Sequence, residues 1–201
     1  MKIYRYASGN GKTVKLIVGG LHGNEGRIIA PILDRLRHAG LKVYGEVIVI
    51  PCISHGEKYV STLSRKYYKT KTGRILLKLI EKFRPSIYVE VHCYRRSAYE
   101  KLTDPFRRFS MGVPPLLSLD NGVLIGAALP QLFKIHMFDL GLVIEKTCRR
   151  GGEETLLNIL KIVVEASEYL EIISKLSLRY PQQISRIAAY HSLIKSRIGS
   201  I

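Results

Sequence analysis

Acidic residues are scarce: 16 Asp and Glu stand against 32 Lys and Arg, a formal net charge of +16. That balance argues for an anionic partner, whether nucleic acid, an acidic substrate or an anionic surface, with a plain solvated basic surface as the alternative. Long apolar runs are missing as well. None approaches the roughly 20 residues that cross a bilayer, so no membrane partner is expected. Met1-Lys2-Ile3-Tyr4-Arg5-Tyr6 has no apolar core of a secretory leader. Cysteine is sparse: Cys52, Cys93 and Cys148 cannot all pair and have no CxxC spacing. The expectation is reduced thiols in the cytoplasm. There is no internal repeat, no HExxH, no GxGxxG and no nucleophile elbow around a serine. Ser8-Gly9-Asn10-Gly11-Lys12-Thr13 imitates the end of a phosphate-binding loop. Its first glycine would fall at Tyr6, however, and it opens a strand where that motif needs a helix.

What remains is an ordinary globular composition. The chain has 201 residues, 46% hydrophobic and 24% charged, enough to bury roughly 70% of its unfolded surface without staples. Residues 2–7 and 13–18 read as strands joined in a hairpin at Asn10-Gly11. The Gly-rich segment 19–26 follows, then a helix with Ile28, Ile29, Ile32, Leu33 and Leu36 on one face, ending at Gly40. Residues 46–50 form an apolar strand stopped by Pro51, and 51–72 is a loop too long to be idle. A helix over 73–84 and a strand over 87–91 come next, the strand delivering His92 at its end. Residues 94–118 form a second long basic loop, and 123–125, 133–138 and 142–145 read as short strands. From Glu153 a helical stripe runs through Leu156, Leu157, Leu160, Val163, Val164 and Leu170. Pro181 breaks it, and a last basic helix covers 184–197.

Strands alternating with helices predict an α/β domain, a mixed and partly parallel sheet flanked by helices with further C-terminal helices. Residues 1–150 are the expected catalytic domain, and 151–201 a helical extension packed on it. In such sheets, sites gather where strands end. His22 and Glu25 lie three apart on a strand-to-helix connection, suitable nitrogen and oxygen ligands for zinc. His92 at another strand end could complete a three-ligand set with one position left to water. Glu145 closes the apolar run Leu142-Val143-Ile144, where a carboxylate is out of place unless it faces a cleft and handles a proton. Taken singly, each residue is more often structural: a satisfied histidine, a surface HxxE pair, a carboxylate paired with Arg149 or Arg150. Their place at successive strand ends raises the odds.

Gly19-Gly20-Leu21-His22-Gly23-Asn24-Glu25 closely resembles the GGxHGNE signature of the zinc carboxypeptidase superfamily, in particular its succinylglutamate desuccinylase and aspartoacylase branch. Val89-Glu90-Val91-His92-Cys93-Tyr94 resembles that superfamily's DLHSY strand end, with Glu90 for Asp and Cys93 for Ser. Leu142-Val143-Ile144-Glu145 resembles the strand bearing the general base, and Lys58 to Arg65 is similar to the RY…DLNR segment. The resemblance implies zinc held by His22, Glu25 and His92, with Glu145 as base and proton shuttle. It also implies Lys58 in place of the carbonyl-polarising Arg, Arg65 as a carboxylate clamp, and Tyr67 or Tyr68 at the aromatic position. Ser64 stands where the signature has Asn, and the segment is one residue short. The likeness covers residues 14–147. The implied activity is zinc-dependent hydrolysis of an amide, of deacylase or carboxypeptidase type.

The pairs Arg95-Arg96, Arg107-Arg108 and Arg149-Arg150 read as a funnel for a small acidic substrate, an N-acyl amino acid or a glutamyl or peptide conjugate, with Arg95 among its binding residues. Two other classes compete. A non-catalytic zinc- or nucleic-acid-binding module on a hydrolase-derived scaffold would suit the charge and the basic last helix (Arg186, Lys195, Arg197). A thiol site is the other: Cys52, Cys93 and Cys148 fall at or just past strand ends, and Cys93 would act as nucleophile or metal ligand.

Overall fold

A computed structural model describes residues 1–8, 11–54 and 56–198. Seven strands form one sheet: β1 (Tyr4–Ala7), β2 (Val14–Gly19), β3 (Glu46–Ile50), β4 (Ile87–Tyr94), β5 (Leu117–Ser118), β6 (Val123–Ala127) and β7 (Leu140–Thr147). Their order is β1-β3-β2-β4-β7-β6-β5. The four central strands, β3, β2, β4 and β7, are parallel, and β1, β6 and β5 run antiparallel to their neighbours. The expected mixed, partly parallel sheet is therefore what forms. Central parallel strands are covered on both faces, which is why β3 reads as an unbroken Val-Ile-Val-Ile.

The helices are α1 (Gly26–Asp34), α2 (Lys71–Phe83), α3 (Tyr99–Thr103), α4 (Arg107–Met111), α5 (Pro130–Phe133), α6 (Glu153–Glu165), α7 (Tyr169–Ser177) and α8 (Pro181–Ile198). On one face, Ile17, Val49, Val89, Val91, Leu142 and Ile144 pack with α1, α6, α7 and the first half of α8. On the other, Leu16, Val18, Ile48, Ile50 and Tyr88 pack with α2, α5 and Ile194 of α8. Helix α8 thus passes from one layer to the other, contributing Ile184 and Ile187 to the first and Ile194 to the second. Helix α2 starts cleanly because Thr70 Oγ1 accepts the Gly73 amide at 3.0 Å. It stops at Arg84, which turns left-handed (φ +43°) while its amide bonds Ile80 O at 2.8 Å.

The connections place the site. From β2 the chain crosses through α1 to β3 on one side, then through α2 back to β4 on the other. That reversal opens a crevice between the C-terminal ends of β2 and β4.

Several local expectations are corrected. Strands β1 and β2 do not form a hairpin. Strand β3 lies between them, antiparallel to β1 and parallel to β2, and Asn10 of the turn signal lies outside the described residues. Residues 133–138 are not a strand. Phe133 ends α5, and Phe133 and Phe138 meet edge-on at 5.2 Å, so their alternation reflects two aromatic anchors of a turn. The helical stripe breaks at Ala166, and Leu170 of α7 is 55% exposed. The loop 94–118 contains α3, α4 and β5. Cys93 and Cys148 are joined as a disulfide, Cα atoms 5.0 Å apart, against the reduced thiols expected; Cys52 is free. The pair forms because β4 and β7 are parallel neighbours whose C-terminal ends coincide, with the Cys148 amide on Tyr94 O.

Candidate metal centre

The segment after β2 folds back on itself because two positions leave no room for a side chain. Gly20 has φ +57°, and a Cβ there would sit 2.7 Å from Cys52 Sγ; at Gly26 it would sit 2.2 Å from the same sulfur. This tight crossing of the loop against residues 51–54 aims His22 and Glu25 into the crevice. Glu25 Oε1 accepts the amides of Leu21 (2.6 Å) and His22 (3.1 Å), which fixes the carboxylate. Fully buried Tyr67 donates its hydroxyl to Leu21 O at 2.9 Å and holds the loop from below.

Strand β4 brings the second imidazole. His92, 3% exposed, places Nδ1 3.2 Å from Glu25 Oε1 and stacks on His22 with ring centroids 4.9 Å apart. His22 Nδ1 lies 3.5 Å from Glu25 Oε2. One ligand atom from each of His22, Glu25 and His92 falls within 4.8 Å of the others, an arrangement that could hold a metal ion. The far side of His92 is occupied too: Nε2 lies 3.2 Å from Glu90 Oε2, and Tyr88 donates its hydroxyl to Glu90 Oε1 at 2.8 Å. This chain fixes the ring so that Nδ1 faces Glu25 and His22, the carboxylate–histidine arrangement that orients metal ligands.

Glu145 pairs in register with His92 across the parallel β4–β7 ladder, so both side chains leave the same face. Burial raises its pKa, opposed by the charges of His92 and Arg107. Burial also depresses His22, to about 4, with the His92 charge adding to it. For His92, burial acts downward, but Glu25 and Glu90 outweigh it and the net shift is strongly upward. For Glu25, burial acts upward but is outweighed by His92 and His22, leaving it lowered.

The remaining candidates lie further out. Lys58, Arg65 and Arg95 are exposed. The neighbour of Lys58, Tyr59, sets its ring edge against His22 at 4.6 Å, so this loop borders the crevice. Tyr68 is half-buried, its hydroxyl shielded and without a hydrogen-bond partner among the described residues, and burial with the Glu90 charge pushes its pKa up. Cys93, closed in the disulfide, is neither thiol nor ligand, and Cys52 bonds Ser54 O at 2.7 Å with its pKa raised by burial. Of the arginine pairs, Arg107 is buried while Arg108 is exposed. Glu90, Tyr88 and Arg107 were not marked as individual site residues by sequence reasoning. Alternation along β4 could have found the first two, since residues 88, 90 and 92 share one face.

Comparison with known proteins gives one full-length relative: the uncharacterized protein MJ0501 of Methanocaldococcus jannaschii, 38% identical over 199 residues, covering 96% of this chain and 95% of that protein. Solved structures resemble parts of the fold at lower similarity. A succinylglutamate desuccinylase from Vibrio parahaemolyticus is 16% identical at a TM-score of 0.43, over 83% of this chain and 72% of its own. A metallo-carboxypeptidase from Pseudomonas aeruginosa is 11% identical at 0.42, over 73% and 52%. An aspartoacylase family protein from Mesorhizobium loti is 18% identical at 0.37, over 46% and 34%. The chain thus matches about a third to three quarters of the length of these three structures. The family model described as "uncharacterized protein conserved in archaea (DUF2119)" matches residues 10–195, and it is to this family that the chain belongs.

Proposed function

We propose that this protein is a zinc-dependent hydrolase that cleaves an amide bond, of deacylase or carboxypeptidase type, in a small acidic substrate. The observation that carries the reading is the convergence of His22, Glu25 and His92 beside an in-register Glu145. The signature Gly19 to Glu25, with its resemblance to zinc carboxypeptidases, supports it independently.

The donor set fits zinc. Two imidazole nitrogens and one carboxylate are ligands that ion takes, and three protein ligands leave a position for water or substrate. The chemistry of the surroundings agrees: Glu25, Glu90 and Glu145 crowd a space in which His92 and Arg107 are the cations that act on Glu145, and buried carboxylates call for positive charge. Bound there, zinc would supply Lewis acidity and lower the pKa of water at the site from 15.7 to about 7.

The chain's own groups do the rest. His22, Glu25 and His92 would hold the ion, with Glu90 fixing the His92 ring through Nε2. Glu145, whose pKa burial raises, would take a proton from the attacking water and pass it to the leaving amine. Lys58 would polarise the carbonyl, and Arg65, Tyr68 and Arg95 would contact substrate from the crevice rim.

The test is elemental analysis of the purified protein, followed by a screen of N-acyl amino acids and acidic peptides. Glu145→Gln should keep zinc and lose activity by about 10² to 10⁴-fold, the usual contribution of a positioned base. An active Glu145→Gln enzyme would remove Glu145 from the role. A chain that holds zinc yet hydrolyses nothing, and binds nucleic acid with steep salt dependence, would be the non-catalytic module instead.

A further inference from the structure

Along α8, Arg186, Ala189, Tyr190 and Leu193 follow one another at spacings of three, one and three, which sets them on one stripe of the helix. Ile184, Ile187 and Ile194 anchor the helix in the two apolar layers, and Gln183 Nε2 donates to Ser118 O at 3.1 Å, tying its first turns to β5. The stripe does not close on the sheet. Strand β5 has only two residues, and Pro114 and Pro115 ahead of it have no N–H with which to lengthen it. Past its end, β6 presents Gly126 and Ala127, which are too small to fill the gap. A cavity of about 310 Å³ remains between α8, the two prolines and the end of β6. That is the lower end of the size of small-molecule sites. None of His22, Glu25, His92 and Glu145 lines it, and Ala127 pairs with Leu142, three positions along β7 from Glu145.

The lining is mostly apolar, and its only charges are positive. Residues 105–119, residues 121–130 and the whole of α8 contain no Asp or Glu. Arg108 and Arg186 line the cavity and are exposed, which sets them at its mouth. Neither makes a hydrogen bond or an ion pair among the described residues, and the Tyr190 hydroxyl makes no hydrogen bond there either. The acids at the ends of these segments are engaged: Asp104 Oδ1 accepts the Phe106 amide, and Asp120 is held by Arg179 and Tyr180.

We propose that this cavity binds a small amphiphilic anion, a short apolar chain ending in a single acidic group. The chain would lie against Pro114, Pro115, Leu117 and Leu193, where leaving water stabilises it. The head would meet the guanidinium groups of Arg108 and Arg186, whose forked donors suit an acidic group. An extended polyanion could follow the basic surface, but it would leave the apolar interior empty. The site is independent of the metal centre and of the hydrolase reading.

Titration calorimetry of the whole chain at low ionic strength tests it, with octanoate as the probe. One octanoate binds per wild-type chain. Hexanoate binds about tenfold more weakly, because two fewer methylenes are buried, and acetate gives no measurable binding. Arg108→Gln combined with Arg186→Gln weakens octanoate by about fivefold or more, while octanol keeps its affinity within about twofold. Ala189→Trp fills the cavity from an exposed helix position and removes both ligands. A wild type that binds no octanoate overturns the proposal, as does one that binds acetate equally well, which is the behaviour of a basic surface alone. Octanoate affinity unchanged in Ala189→Trp also overturns it, by placing the ligand elsewhere. If Ala189→Trp does not fold, the double arginine variant, altered only at exposed side chains, decides. Octanoate weakened with octanol retained supports the site, and any other pattern refutes it.

Discussion

Ile87, Val89 and Val91 of β4 lie in an aliphatic layer shared with α1 and α6. Tyr88, Glu90 and His92 alternate with them on the same strand, and these three are joined by hydrogen bonds into one polar chain. Both sets are almost wholly buried. The first set is explained by folding alone, because apolar side chains leaving water stabilise the sheet. The second set is not, because buried carboxylates cost stability unless something positive meets them. What differs between the two faces is therefore the need for a cation, and that need is local. Two buried histidines on the polar side make the point. His92, among carboxylates, has its pKa strongly raised, against the downward pull of burial. His191 of α8, with Phe133 beside its ring and Gly141 backbone on Nε2, is pushed down by burial to about 4.

The contrast can be broken most forcefully on the aliphatic side. Val89→Asp puts an unpaired charge where no partner exists, and should destabilise the protein by at least about 4 kcal/mol in chemical denaturation, with no rescue by zinc. A smaller loss would mean that this face also tolerates charge, and that the two sides of β4 are not as unlike as described.

A second test uses the two histidines. His191 is neutral in the folded state until pH falls to about 4, whereas an unfolded histidine takes a proton near 6.5. Stability contributed by neutral His191 is thus full above about pH 6.5 and declines as pH falls towards 4, by about 3 kcal/mol at most. Denaturation curves at neutral and acid pH should show that decline in wild type and its loss in His191→Gln. Equal acid sensitivity in both proteins would place the titrating groups elsewhere.

The smallest effect should come from the support of His92. Glu90→Ala frees the Nε2 side of the ring and should weaken zinc binding by about 10 to 100-fold, measured by competition with a chelator. Unchanged affinity would reduce Glu90 to a buried partner of Tyr88.

Much of this was readable in the chain itself. The run Glu46 to Ile50 and the apolar face of α2 are local patterns, and the structure follows them. That His22, Glu25 and His92 come together, with Glu145 in register beside His92, was legible because all four stand at or just after strand ends. Pairing between distant segments was harder. Asn10-Gly11 speaks only for a change of direction, and says nothing about β3 inserting between β1 and β2. The Cys93–Cys148 bridge spans 55 residues and depends on which strands become neighbours. Arg107 and Arg108 look identical in sequence. Only the packing of residues 98–116 over the strand ends buries one and exposes the other.

The most direct test of the polar face is a zinc titration of wild type against Glu25→Gln, in which the amide oxygen can still accept the Leu21 and His22 amides and so preserve the loop. The account predicts one tightly bound zinc per wild-type chain, and a variant that folds normally but binds zinc at least about 100-fold more weakly, having lost a charged ligand. Equal zinc affinity in the two proteins, or a wild type that takes up none, would contradict it.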